Sequence, residues 1–244
     1  MSQIEFMDEH GSFRIEQPQN ISYLYFPIAG EHAGGAAGIK SSLTPLLSGD
    51  AKKDQNTFLL EPVSAENLHN NRSTRNFWCR FTDGQKGKAW SAAGVSAEQE
   101  AERGTEFEEQ TELLAGFMCQ TVRRQSRKYG LSSEITSFVP VEYPDTEVML
   151  VTIKNTGSKV CNFVPIAAIP IYARSADNIR DHRHVTSLLH RTKTSDYGVE
   201  ITPTLTFDER GHKKNRITYY VYGAGEGGVP PVPTLPPLED FIGD

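Results

Sequence analysis

Apolar and polar positions alternate along most of the chain, in short runs separated by turn residues. "SFRIE" (12–16), "ISYLYFPIA" (21–29), "NTFLLEPV" (56–63) and "RNFWCRFTD" (75–83) are β-branched and aromatic, and they predict strands. Pro27 puts the second run at a sheet edge or strand end, because proline brings no amide proton to a ladder. "KAWSA" (88–92), after the turn "DGQKG" (83–87), predicts the return strand of a hairpin. Further strand runs follow in "GFMCQTVRRQSRKYG" (116–130), "LSSEITSFVPVEY" (131–143), "TEVMLVTIKNTG" (146–157) and "KVCNFVPIAAIPIYAR" (159–174). In the third of these, Val148, Leu150 and Ile153 are assigned to the buried face and Val151 to the other. "GVEITPTLTFD" (198–208) and "NRITYYVYG" (215–223) predict a hairpin around "ERGHKK".

Three segments depart from this pattern. The Gly- and Ala-rich "AGGAAGIKSSLTPLLSGD" (33–50) reads as an extended loop. In "SAEQEAERGTEFEEQTELLA" (96–115), Ser96 followed by Gln99 has the form of a capping box. Gly104 interrupts that segment, so a short helix followed by a strand is expected. "GEGGVPPVPTLPPLEDFIGD" (225–244) favours stiff, extended backbone and is expected to be a linker into a further domain. The strand runs recur roughly every 10 to 15 residues with no strand–helix alternation. The expectation is all-β: one large antiparallel β-sandwich over 1–224, with at most short helices, and a linker over 225–244.

Composition narrows the function classes. A net charge of −6 argues against a nucleic-acid binder held by phosphate contacts. The basic clusters Arg123, Arg124, Arg127, Lys128 and Arg210, Lys213, Lys214, Arg216 read as solvated strand faces or turns. Cys79, Cys119 and Cys161 are odd in number and far apart, which suggests buried thiols rather than a disulfide framework or zinc knuckle. No signal peptide and no membrane span is read, so a cytoplasmic location is expected, without a membrane partner. There is no GxGxxG, P-loop, HExxH or CxxC, and no cofactor is expected.

The densest chemistry lies in "RDHRHVTSLLHR" (180–191). His182 and His184 share a strand face, and His190 with Asp181 or Glu200 could complete a metal set. Arg180, Arg183 and Arg191 put positive charge beside any such ion and disfavour it. Ser187 with a histidine and Asp181 has the residue types of a hydrolase triad but no GxSxG elbow. Two readings remain for Asp181, His182, Arg183, His184, His190 and Arg191: a self-bonded polar loop, or a lip that touches a sugar or a neighbouring domain. Paired carboxylates in "EFEEQTE" (106–112) and "EYPD" (142–145) have the spacing of ordinary solvated charge. Phe77, Trp78 and Trp90 fall in neighbouring strands, as core or as a platform for sugar rings.

The wording of several segments carries a resemblance. "YLYFPIAGE", "NTFLLEPVSAENLHN", "RNFWCRF", "AWSA", "EITSFVPV", "VTIKNTG", "AAIPIYARSADNIRDHRHVTSLLHR" and "PTLTFDERGH" resemble the N-terminal β-sandwich of the inverting glycoside phosphorylases of glycoside hydrolase family 94, formerly glycosyltransferase family 36. The branch most similar acts on β-1,2-linked glucans, as 1,2-β-oligoglucan phosphorylase and cyclic β-1,2-glucan synthase do. The resemblance runs from about residue 21 to 224 and implies a galactose mutarotase-like supersandwich. It also implies that an (α/α)6 barrel, not contained in this chain, supplies the catalytic Asp and binds phosphate. There phosphate attacks the anomeric carbon, and configuration inverts to release α-glucose 1-phosphate. The chain alone is then expected to be inactive, with no catalytic residue. Its expected partners are the barrel and a β-glucan oligosaccharide, and a homodimer is left open. The alternatives are a free-standing carbohydrate-binding or structural subunit, and a mutarotase-like epimerase using His184 and Glu200.

Overall fold

The computed structural model describes residues 4–21, 24–63, 73–82, 87–176, 189–208, 211–234 and 236. The regular elements run in the order β1 Ile4–Phe6, β2 Phe13–Glu16, β3 Phe26–Glu31, β4 Ala37–Leu43, β5 Ala51–Asp54, β6 Thr57–Leu60, β7 Asn76–Phe81 and β8 Ala89–Ser91. The helix α1 Ala97–Glu102 precedes β9 Gln110–Gly116, β10 Cys119–Ser126, β11 Leu131–Phe138, β12 Val148–Asn155 and β13 Phe163–Ala168. The last group is β14 His190–Ser195, β15 Gly198–Pro203, β16 Leu205–Asp208, β17 Gly211–Lys214 and β18 Tyr219–Tyr222. The pairs β1–β2, β2–β9, β9–β10, β10–β11, β11–β12, β3–β4, β5–β6, β7–β8, β7–β13, β14–β15, β15–β18 and β16–β17 are antiparallel, and the expected all-β class holds. No helix among the described residues is long and apolar enough to cross a membrane.

The chain divides into two compact units, Met1–Gly49 with Thr74–Ala168 and Asp50–Ser73 with Ile169–Asp244. The first unit holds a six-stranded sheet in the order β1-β2-β9-β10-β11-β12. Its register brings Ile15, Leu113, Val122, Ile135 and Val151 into one row across five strands. A one-residue slip of any strand would turn its member of that row to solvent, so burial of this face fixes the pairing. The four fully buried members, Ile15, Leu113, Val122 and Ile135, each contribute roughly 1.5–3 kcal/mol. The sheet β13-β7-β8 supplies the opposing layer, with Cys79, Phe81 and Trp90 buried in the same core. The ring of Phe81 stacks on Tyr129 at 4.9 Å between centroids.

Three details differ from the sequence reading or refine it. Residues 37–43 form a strand rather than loop, pairing with β3. Gly30 and Gly38 are there for close approach, because a Cβ would lie 2.4 and 2.2 Å from the carbonyl oxygen of Pro144. Ile39 donates its amide to that same oxygen at 2.8 Å. In β12 the core face is Met149, Val151 and Ile153, while Leu150 is exposed, which reverses the expected assignment of Leu150 and Val151. Ser96 caps α1 as expected, its hydroxyl accepting from the Gln99 amide at 3.2 Å while Gln99 Oε1 accepts from the Ser96 amide at 3.3 Å.

One buried ion pair ties this unit together. Arg75 donates from Nε to Glu147 Oε1 at 2.7 Å and from Nη2 to Oε2 at 2.8 Å, and its Nη1 donates to the Gly49 carbonyl at 2.6 Å. Ser41 adds a hydroxyl bond to the same carboxylate. The second unit contains the hairpin β5–β6, the sheet β14-β15-β18 and the hairpin β16–β17. The pair β15–β18 is the hairpin expected from 198–223, with β16–β17 nested inside it. Ala173, Val199, Ile201 and Tyr219 form its core, joined by Leu59 and Ile171.

Candidate functional site

The sheet β14-β15-β18 has two chemically distinct faces, and the register assigns every residue to one. Val199 pairs with Val221 and Ile201 with Tyr219, and this face meets the core. The opposite face carries Gly198 against Tyr222, Glu200 against Tyr220, and Lys193 against Glu200. Tyr220 and Tyr222 are two residues apart on one strand, so both rings point outward. Their centroids lie 5.0 Å apart with the planes tilted by 31°. Tyr197, in the β14–β15 turn, is 48% exposed, Tyr220 39% and Tyr222 48%. An open cleft of ≈ 520 Å³ is lined by Ser195, Tyr197, Tyr222, Gly223 and Ala224.

Polar groups fix the positions of these rings. The Tyr222 hydroxyl donates to Glu200 Oε1, and that bond raises the phenol above its ordinary pKa. Gly198 leaves room for the ring, since a Cβ there would lie 2.8 Å from Tyr222 Cδ1 and 2.0 Å from the Val221 carbonyl oxygen. Gly223 donates its amide to the Tyr197 carbonyl at 2.8 Å, holding the turn against the end of β18. Thr202 and Thr218 share a hydroxyl–hydroxyl bond of 2.8 Å further along the same face. The surface thus joins flat apolar rings to hydroxyls and one carboxylate, the combination that grips a polyhydroxylated ring by stacking and hydrogen bonding.

His190 and Arg191 are consecutive strand residues and therefore point to opposite faces. His190 turns inward. Burial, then the nearby Arg174 charge, lower its pKa to about 4, against a bond to the Ala173 backbone that raises it. It is thus a neutral imidazole, and its Nε2 has no hydrogen-bond partner among the described residues. Arg191 lies on the outward face, with Nη1 donating to the His190 carbonyl at 3.2 Å. Glu200 also lies outward, engaged with Tyr222. Asp181, His182, Arg183, His184 and Ser187 lie outside the described residues. Among those described, no group of three His, Cys, Asp or Glu side chains could hold a metal ion.

The tryptophans do not form a shared platform. Trp78 pairs with Ser91 and Cys79 with Trp90, so the two indoles point to opposite sides of their sheet. Trp90 is fully buried, its indole nitrogen donating to Glu109 Oε1 at 2.8 Å, and it offers no ring face to a sugar. Trp78 is half-buried in β7. The carboxylates of 106–112 hold structure: Glu109 also receives Gln99 Nε2 at 2.7 Å, and Glu112 pairs with Arg14 and Arg123. In 142–145, Asp145 meets His32 Nε2 at 3.0 Å. The three cysteines are free thiols, and burial pushes Cys79 up to about 12.

No family model matches the sequence, and no curated protein matches it significantly. The tyrosine face is not assigned by the sequence, because strand alternation alone does not tell which side meets the core. Its signal was present: in "ITYYVYG" Tyr219 and Val221 alternate with Tyr220 and Tyr222, which splits an aromatic strand into one inward and one outward pair.

Proposed function

We propose that this chain is the non-catalytic, carbohydrate-associated β-sandwich of an inverting β-1,2-glucan phosphorylase. The observation that carries the carbohydrate part is the outward tyrosine face of β14-β15-β18, with Glu200 holding Tyr222 in place. The naming of a phosphorylase rests on the segments that resemble family 94. In this reading phosphate attack and leaving-group protonation belong to a barrel domain encoded beyond Asp244. The sandwich packs on that barrel and shapes the rim of its substrate cleft.

A second reading is favoured by one feature: the tyrosine face is built within three strands of one unit. That suits a free-standing carbohydrate-binding subunit. The genomic reading frame downstream of the Asp244 codon separates the two. A frame that continues into helical repeats, and whose full product phosphorolyses β-1,2-glucan to α-glucose 1-phosphate, supports the first reading. A stop codon at that point overturns it in favour of the second.

A further inference from the structure

Tyr197, Tyr220 and Tyr222 form an exposed aromatic face. Cross-strand and neighbouring aromatic pairs stabilise a sheet by shielding one another, yet these three rings each keep 39–48% of their surface in water. Tyr197 and Tyr222 line a shallow, open cleft together with Ser195, Gly223 and Ala224. Their polar neighbours also have capacity to spare. Glu200 accepts from Tyr222 through Oε1, and a carboxylate has further lone pairs on both oxygens. Ser195 lines the cleft, its hydroxyl donating to the Gly198 carbonyl at 3.4 Å and keeping acceptor lone pairs.

Charge decides the class of ligand. Glu200 stands in the middle of the face and repels an anion. Lys193 lies directly across from Glu200 on β14, and Arg191 is two residues before it, so a cation is disfavoured as well. The tyrosine planes tilt by 31° and lie along one surface, rather than enclosing a box that would suit a quaternary ammonium. A neutral, flat, hydroxyl-rich molecule fits both the shape and the charge.

We infer that the outward face of β14-β15-β18 is a glucan-holding site that binds a short neutral β-glucan segment without any catalytic domain. One glucosyl unit stacks by its C–H face on Tyr222 beside Tyr197, and the next continues toward Tyr220, with Glu200 accepting from ring hydroxyls. This deepens the proposed function and rests on it for the choice of a β-1,2-linked glucan, the face itself fixing only a neutral, hydroxyl-rich ligand. It assigns the chain a holding role of its own, separate from cleft shaping.

Isothermal titration of the chain with sophorose and longer β-1,2-glucooligosaccharides tests it, with cellobiose and choline as comparison ligands. The expected result is a Kd on the order of 1 mM for the glucans, rising about tenfold in Tyr222→Ala and in Tyr220→Ala. Tyr222→Phe, which keeps the ring and loses the Glu200 bond, should weaken binding less. All three positions are exposed, and melting curves establish that each variant is folded; Tyr197→Ala replaces any that is not. Absence of binding to every glucan, binding unchanged in the variants, or preferential binding of choline would each overturn the inference. Glucan binding by a chain whose gene encodes no phosphorylase leaves this inference standing and removes the proposed function. Failure to bind, in a chain whose gene does encode one, removes this inference alone.

Discussion

At the residue scale, the most informative side chain is His190. Sequence placed it among candidate ligands because of its neighbours, but alternation along β14 decides its role, and alternation depends on where the strand starts. Its position opposite Pro203, on the face with Ile201, makes it a buried neutral imidazole. A histidine whose folded pKa lies below its unfolded value stabilises the fold fully above about pH 6.5, and that contribution falls away as pH drops toward 4. Its size, discounted for partial exposure, is on the order of 2 kcal/mol. Thermal melts across this range should therefore show a steeper acid loss in the wild type than in His190→Gln; parallel profiles would contradict the assignment. The buried pair Arg75–Glu147 makes a second prediction. Glu147→Gln removes the carboxylate charge that meets the buried Arg75 guanidinium through Nε and Nη2 and should cost about 3–5 kcal/mol in chemical unfolding. A cost near zero would mean that the pair is solvated.

At the element scale, the sequence told most where one face is apolar and the other polar. β2, β7, β8, the α1 cap and the β15–β18 hairpin were all legible on that ground. β4 was not, because the glycines and alanines around it look like loop when their partner is unseen. Contact with Pro144 is what makes Gly38 a strand residue. Gly38→Val should destabilise by about 1–3 kcal/mol through overpacking, read by urea denaturation, and an unchanged midpoint would contradict that contact. The strand β12 was legible as a strand but not in its facing, since "VMLVTI" is apolar on both sides. Only the row through Ile135 and Val151 settles which side is core. Accordingly Leu150→Lys should stay within roughly 0.5 kcal/mol of wild type, whereas Val151→Lys should cost several-fold more. The tyrosine face was hidden for a related reason: alternation in "ITYYVYG" shows two aromatic sides, and only pairing with Val199 and Ile201 tells which side is outward.

At the scale of the whole molecule, the antiparallel all-β class followed from strand spacing and from the lack of strand–helix alternation. The division into two units did not, because the segment 50–73 groups with residues far along the chain, and sequence proximity carries no signal of that. In the proposed function, binding belongs to this chain and chemistry to a separate domain. Incubated with β-1,2-glucan and phosphate, the chain alone should release no α-glucose 1-phosphate, and turnover in a coupled assay would contradict the non-catalytic assignment. The central claim is that the outward face of β14-β15-β18 meets glucan, and a backbone amide NMR titration with sophorose tests it most directly. The account predicts shift changes that saturate and are confined to residues 195–202 and 218–224. A spectrum unmoved by sophorose, or one whose changes fall outside those segments, would contradict it.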